Sequence, residues 1–294
     1  MENANGIVVV PDGENVRAGS FTWWRLAGVI HYDKLEKAWQ LADMPMRDLP
    51  SLPSRTVALK RALDEQYRGS HTLVRVLPAG GYAIVDESFE NGQEDDETVD
   101  PTYETRFKAW FDEDLGELCF RNVDGKISED EMQAILSHFK MAQKELTHQD
   151  LSSWLSKLVR NVQSVRLRDT GGIYFIPEQH VAQWEKISDI VAEVGQSRVF
   201  GVPALRTDRA VEAIMDAVIS DTTNEIETVT KLLDDATLGV RALKTRGEKL
   251  AALSDKLKVY ENLLGVRLDE MREKIQEADA RISETIITLQ EDNT

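Results

Sequence analysis

From Thr207 to Gln290 the sequence carries an apolar repeat that limits what the last third of the chain can be. Steps of four and three residues from Val229 reach Leu233, Ala236, Val240, Leu243, Gly247, Leu250, Ser254, Leu257, Glu261, Leu264, Leu268, Met271, Ile275, Ala278, Ile282, Thr285 and Leu289. Fourteen of these eighteen positions are apolar, counting alanine. Over that length a plain period of about 3.6 residues would have drifted out of register, so the spacing is heptad-like. Such a stripe must be buried against other helices. It can fold back on itself or pair with a second chain, so the region reads as a coiled coil or a helical hairpin. Its assembly seam is Val229, Leu233, Val240, Leu243, Leu250, Leu257, Leu264, Leu268, Met271, Ile275, Ile282 and Leu289. Gly239, Gly247 and Gly265 are expected to interrupt it, with turns at Asp234 to Thr237 and at Leu264-Gly265. The non-apolar positions are Gly247, Ser254, Glu261 and Thr285. The first three lie close together, so the packing is expected to be weakest there, or a partner to enter.

The rest of the chain alternates between helical and extended patterns, and the fold class expected is α+β. Ser20 to Tyr32 reads as extended, and Asp33 with Glu36 reads as a capping box opening a helix. Ser54 is placed to cap a second helix over Arg55 to Tyr67. Thr72 to Leu77 and Tyr82 to Val85, around Pro78-Ala79-Gly80-Gly81, read as a β-hairpin. Asp86 to Asp100 contains eight acidic residues and no basic one, and reads as a solvated linker. Strands are then expected at Tyr103 to Trp110 and Gly116 to Arg121. Helices are expected at Glu129 to Leu146 and Asp150 to Gln163. A second hairpin is expected over Val165 to Ile176, turning at Asp169-Thr170-Gly171-Gly172. A helix over Glu178 to Val194 and a strand near Val199 lead into the C-terminal helices. The expected division is therefore 1–87, an acidic linker at 88–103, a second module at 104–205, and the helical region from 206 to 294. The six tryptophans sit in apolar patterns and are expected in the core.

The two hairpins echo one another. Residues Val74 to Glu87 align without gaps on Val165 to Glu178, sharing Val-Arg-apolar, three variable residues, Gly-Gly and alternating apolar positions. Each follows an amphipathic helix, so the chain reads either as holding two related helix-plus-hairpin modules, winged-helix-like in outline, or as holding two ordinary Gly-Gly hairpins that agree by chance.

Charge bears on partners. Against 52 acidic residues stand 35 Lys and Arg, a formal net charge of −17. That field repels nucleic acid and anionic membranes at long range, so nucleic-acid binding needs a local basic patch. Two stretches supply one. Arg55 to Arg75 holds Arg55, Lys60, Arg61, Arg68 and Arg75 against two acids. Trp154 to Arg168 holds Lys157, Arg160, Arg166 and Arg168 with no acid. Arg55, Lys60, Arg61, Arg75, Lys157, Arg160, Arg166 and Arg168 are accordingly the candidate nucleic-acid contacts, at the positions where a winged helix meets phosphates. The other reading of these stretches is a solvated helix face, or pairing with the protein's own acidic segments.

Motifs for chemistry fall short. Asn122 to Glu131 has most of an EF-hand calcium loop, but its first ligand position falls on Phe120 and the segment before it reads as a strand. A turn followed by a helix capped at Ser128, with Glu131 at its third position, fits better. Asp169-Thr170-Gly171 matches the aspartic-protease signature, yet the other hairpin carries Pro78-Ala79-Gly80 and supplies no second acid. The five histidines show no metal-ligand spacing, and there is no phosphate loop or nucleophile elbow. The single Cys119 excludes a disulfide within the chain. No cofactor and no metal are expected. The N-terminus does not read as a signal peptide and no apolar run is long enough for a membrane span, so a cytoplasmic protein is expected.

The segments Phe21 to Trp39 and Leu167 to Pro177 resemble those of an uncharacterised family of bacterial and bacteriophage proteins. That resemblance implies a prokaryotic or phage setting, the host cytoplasm if phage-encoded, and no activity. The function expected is a non-enzymatic interaction or scaffold protein that pairs with itself or another protein through its helical tail. The alternative is a nucleic-acid-associated regulator using the two basic modules. An enzyme with a site assembled from scattered residues is the third.

Overall fold

The computed structural model describes residues 17–88, 101–124, 127–168, 171–231 and 239–291. Over these residues the chain is mixed α+β, with antiparallel sheets towards the N-terminal side and eight α-helices, the longest at the C-terminal end. It divides into two compact units, Ala27–Ser152 and a second made of Met1–Leu26 with Ser153–Thr294.

In Ala27–Ser152, strand β2 (Ile30–His31) leads into helix α1 (Tyr32–Leu41). Asp33 is not its cap. The helix begins a residue earlier, His31 makes no side-chain cap bond, and the Tyr32 N–H donates to the Lys144 carbonyl at 2.8 Å. Pairing of β2 with β7 (Glu145–Leu146) brings the Lys144 carbonyl to this first N–H of the helix, one of those the helix itself leaves unsatisfied. The same pairing ends helix α3 (Glu129–Ala142) short of Leu146. Helix α2 (Arg55–Gln66) is capped by Ser54, whose Oγ accepts from the Val57 N–H at 3.3 Å. Helix α3 opens on a full capping box between Ser128 and Glu131.

Strands β3 (Thr72–Val76), β4 (Tyr82–Ser88), β5 (Thr102–Asp112) and β6 (Glu117–Asn122) form an antiparallel sheet in chain order. The first hairpin is as expected, with Val76 opposite Tyr82. The acidic stretch joins two neighbouring strands, since β4 and β5 pair on either side of it; its residues 89–100 lie outside the described ones. Leu59, Ala62 and Leu63 of α2 and Ile135 and Phe139 of α3 bury Ile84, Phe107 and Ala109 of the sheet. The pairing shifts register between Ile84 and Val85, leaving Arg106 as an extra residue on β5. Its guanidinium meets Glu131 at 2.8 Å and Asp86 at 3.5 Å, and Glu131 also accepts from the Tyr67 hydroxyl at 2.8 Å.

The second unit is built on a discontinuous sheet. Strand β1 (Arg17–Arg25) lies between β10 (Arg198–Leu205) and β9 (Tyr174–Pro177), with β8 (Val165–Arg166) beyond β9, all antiparallel. The approach of β1 to β9 is so close that a Cβ at Gly19 would fall 2.0 Å from the Ile176 carbonyl oxygen. Helix α4 (His148–Asn161) ends just before β8. Helix α5 (Glu178–Val194) holds the sheet through the Trp184 indole, which donates to Thr22 Oγ1 at 2.8 Å. Of the tryptophans, Trp39, Trp154 and Trp184 are buried, whereas Trp23 is 36% exposed and stacks on Phe200 at 5.4 Å.

Helices α6 (Asp208–Lys231), α7 (Val240–Leu264) and α8 (Asp269–Glu291) share one core with Ala18, Val165 and Phe175 of the sheet. The seam residues Val229, Leu243, Leu250, Leu257, Leu264, Leu268, Met271, Ile275 and Ile282 are all buried in it. Val240 and Leu289 are partly buried; Leu233, Ala236 and the turn expected at Asp234 to Thr237 lie outside the described residues. Over the described residues the stripe is thus covered by the chain's own helices. Gly265 ends α7 in the left-handed region (φ 69°), as expected of a turn glycine. Gly247 does not interrupt anything. It lies inside α7, where a Cβ would meet Asp279 Oδ1 at an ordinary 3.8 Å.

Glu261 reverses its expectation. It is 7% exposed, its carboxylate accepts from the Leu268 N–H at 2.8 Å, and it pairs with Arg272. Burial pushes its carboxyl up, but the Leu268 N–H, Arg272 and Arg267 outweigh that and hold it below the usual range. The polar break in the seam is the clasp of the α7–α8 turn.

Candidate functional site

Helix α4 carries its basic residues towards its C-terminal end, and the chain then turns at once into β8. Gln163 makes this turn possible at φ 53°, a conformation that costs a residue with a Cβ about 1 kcal/mol. The turn is clamped from the bundle side. The fully buried Tyr260 of α7 donates its hydroxyl to the Gln163 carbonyl at 2.9 Å, and its ring lies 6.1 Å from that of Phe175. Burial, then Asp221, pushes that phenol far above its ordinary range, so it remains a donor at physiological pH.

This clamp sets one wall of a cleft of about 1210 Å³. Arg160 and Asn161 close α4, Ser164 follows the turn, and Arg166 and Arg168 extend along β8 and past it. Arg166 is steadied by the ring of Tyr174, its partner across the hairpin, at 5.8 Å from the centroid. The other walls are helix faces beside the buried seam. Ser220, Asp221, Asn224, Glu225 and Thr228 recur at helical spacing on α6, and Lys249, Ala252, Asp255 and Lys256 on α7.

Five basic and three acidic side chains line the cleft, a net of +2 on a chain of net −17. The acids are largely occupied. Lys256, with 11% of its side chain exposed, pairs with Asp221 at 2.6 Å and lies 3.8 Å from Glu225, while Asp255 pairs with Lys258 at 2.8 Å. Burial raises the Glu225 carboxyl, partly offset by Lys256 and then by Arg160 and Lys249, which places both of these cations within electrostatic reach of the α6 wall. Among the described residues, the side chains of Arg160, Arg166, Arg168 and Lys249 form no ion pair or hydrogen bond. The Ser164 hydroxyl is buried, at 3% exposure, with no partner there either. A buried hydroxyl is ordinarily bonded. The arrangement can therefore receive an anion with oxygen acceptors.

Of the eight basic residues expected to meet nucleic acid, three come together here: Arg160, Arg166 and Arg168. Lys157 is exposed on α4 outside the cleft. The other group is mostly spent on the protein's own acids. Arg55 pairs with Glu113 at 2.7 Å and lies over Phe111, Lys60 pairs with Asp64 at 2.6 Å, and Arg61 pairs with Asp150 at 2.8 Å. Arg75 is exposed on β3 and unpaired among the described residues. The calcium-loop resemblance dissolves likewise, since Asn122 accepts from the Ile127 N–H at 3.1 Å and Glu131 is committed to Arg106 and Tyr67. Gly125 and Lys126 lie outside the described residues, as does the Asp169-Thr170 of the protease-like signature. Sequence reasoning missed Ser164, Lys249 and the α6 acids. Their only signal is charge at helical spacing beside the seam, which is also the signature of any solvated helix face.

Among the described residues no helix is long and apolar enough to cross a membrane. No curated protein and no solved structure matches the chain. A family model described as a family of unknown function (DUF6744) matches residues 18–291. The match runs from β1 to the end of α8 and takes in both compact units, so the chain belongs to that family.

Proposed function

We propose that this chain is a non-enzymatic interaction protein that docks a partner through its C-terminal helices, at the cleft walled by α6, α7 and the end of α4. One observation carries this: among the described residues, four cations without ion pairs or hydrogen bonds and a buried hydroxyl without a hydrogen-bond partner line that cleft. The heptad spacing supports coiled-coil-like packing of α6, α7 and α8. Because the seam is filled by the chain's own helices, docking on the bundle is favoured over self-assembly along it. The resemblance of Phe21 to Trp39 and of Leu167 to Pro177 to bacterial and phage proteins supports a prokaryotic or phage setting and the cytoplasm. The test is affinity capture from the native host with the wild-type chain and with the pair Arg160→Glu and Lys249→Glu. Loss of specific partners from the variant, with helicity unchanged by circular dichroism, is expected. Identical partners from both proteins would end the docking role of the cleft.

A second reading keeps the nucleic-acid alternative, favoured by the convergence of Arg160, Arg166 and Arg168 after a helix and along a hairpin, an outline like a winged helix. It uses one basic module, because the ion pairs of Arg55, Lys60 and Arg61 remove most of the other. Binding of an oligonucleotide that falls steeply with salt, and weakens with Arg166→Ala and Arg168→Ala, is its expected result.

A further inference from the structure

We infer that the cleft takes a small phosphate ester that also carries hydroxyl or amino donors, a ligand of nucleotide or sugar-phosphate class. This rests on the cleft being the working site and adds the chemistry of its occupant. The wall from α4 and β8 offers Arg160, Arg166 and Arg168, and α7 adds Lys249, all without ion pairs among the described residues. The planar guanidinium fork matches phosphate oxygens, which a point charge does not do as well. Ser164 also lines this wall, with a buried hydroxyl that has no partner among the described residues.

The α6 wall sets the rest of the specificity. Asp221 and Glu225 lie one helical turn apart and share Lys256. Carboxylates there repel a succession of phosphates but accept hydrogen bonds from hydroxyl or amino groups. The cleft thus offers acceptors beside its cations, with Arg160 and Lys249 within electrostatic reach of Glu225, which matches a compact ligand carrying both phosphate and donors. A volume of about 1210 Å³ leaves room for a nucleotide and its water. A long polyanion meets the acids of the α6 wall and the −17 of the whole chain.

The experiment is calorimetric titration of the full chain with adenosine diphosphate, ribose phosphate, inorganic pyrophosphate and oligothymidylate. Saturable binding of adenosine diphosphate or ribose phosphate, tighter than that of pyrophosphate, is expected. Arg160→Ala and Arg166→Ala should each weaken it about tenfold, the loss of one charge-assisted contact. Ser164→Ala should weaken it several-fold while the melting temperature holds or rises, because the hydroxyl removed has no protein partner among the described residues. No saturable binding at millimolar ligand overturns the proposal, as does binding unchanged by the arginine variants. Tighter, steeply salt-dependent binding of oligothymidylate also overturns it, in favour of a nucleic-acid strand. Partner capture that depends on the cleft, without phosphate-ester binding, would leave the docking role standing and remove this inference; the converse would do the opposite.

Discussion

Replacing Glu261 by leucine completes the heptad, and it should nonetheless weaken the protein. On sequence grounds the seam has a polar defect at Glu261, and filling it would add up to about 2 kcal/mol of apolar burial. In the structure the carboxylate accepts from the Leu268 N–H at 2.8 Å and pairs with Arg272, while Leu268 itself is 6% exposed. A hydrogen bond from a buried amide to a carboxylate contributes roughly 2 kcal/mol. The Arg272 pair contributes less, about 1 kcal/mol or below, because the Arg272 side chain is 42% exposed and screened by water. Glu261→Ala should therefore cost about 3 kcal/mol and Glu261→Gln, which keeps an acceptor, about 1 kcal/mol. Glu261→Leu recovers part of the loss by burial and remains destabilised by about 1 kcal/mol. Hydrogen exchange of peptides spanning 257–275 reads this locally. For Glu261→Ala the protection of the Leu268 amide should fall roughly a hundredfold. Slower exchange and a higher melting temperature for Glu261→Leu than for the wild type would refute the clasp. The pH dependence has a fixed sign. The folded carboxyl titrates below its unfolded value, so its contribution is complete above the unfolded pKa of about 4.3 and is lost as pH falls through the folded one.

Gly19→Ala should destabilise the second unit by about 1–3 kcal/mol, seen as a lower melting midpoint, because its Cβ would lie 2.0 Å from the Ile176 carbonyl oxygen and 2.7 Å from the Phe175 ring. Arg106→Leu should cost about 2 kcal/mol in urea unfolding, since Glu131, whose side chain is 15% exposed, loses its cation and keeps the Tyr67 hydroxyl. Tyr260→Phe should cost about 1 kcal/mol in a thermal melt, through loss of the 2.9 Å bond to the Gln163 carbonyl.

Local chemistry was the legible part of the sequence. Ser54, Ser128 with Glu131, and Gly265 act where their residue types say they should, because caps and turns are settled by a few neighbouring atoms. The heptad stripe was legible for the same reason, since burial follows from periodicity whatever covers it. Asp33 and Glu261 were misjudged because their surroundings come from far along the chain or across a turn. The Lys144 carbonyl takes the Tyr32 N–H and the helix starts ahead of Asp33, and Leu268 and Arg272 turn a seam defect into a clasp. The cleft was half legible. A run of arginines without acids marked Arg160, Arg166 and Arg168, but no pattern within α6 or α7 says which helix face will stand beside them. Lys60 and Asp64 are an i, i+4 pair that spacing on α2 shows, but no pattern says that Arg55 and Arg61 will find Glu113 and Asp150.

The central place of β1 in its sheet bears on how the protein is made. Thr22 Oγ1 donates to the Phe200 carbonyl 178 positions later. During synthesis β1 leaves the ribosome ahead of its partners, with two edges of unsatisfied backbone, because both partner strands are translated after Ser152. Ala27–Ser152 is contiguous and can close while β1 waits. The second unit can complete its sheet only when β10 emerges, so the nascent chain carries β1 unpaired while all of Ala27–Ser152 is made. A holdase that shields such a strand would find its client at Phe21 to Trp24.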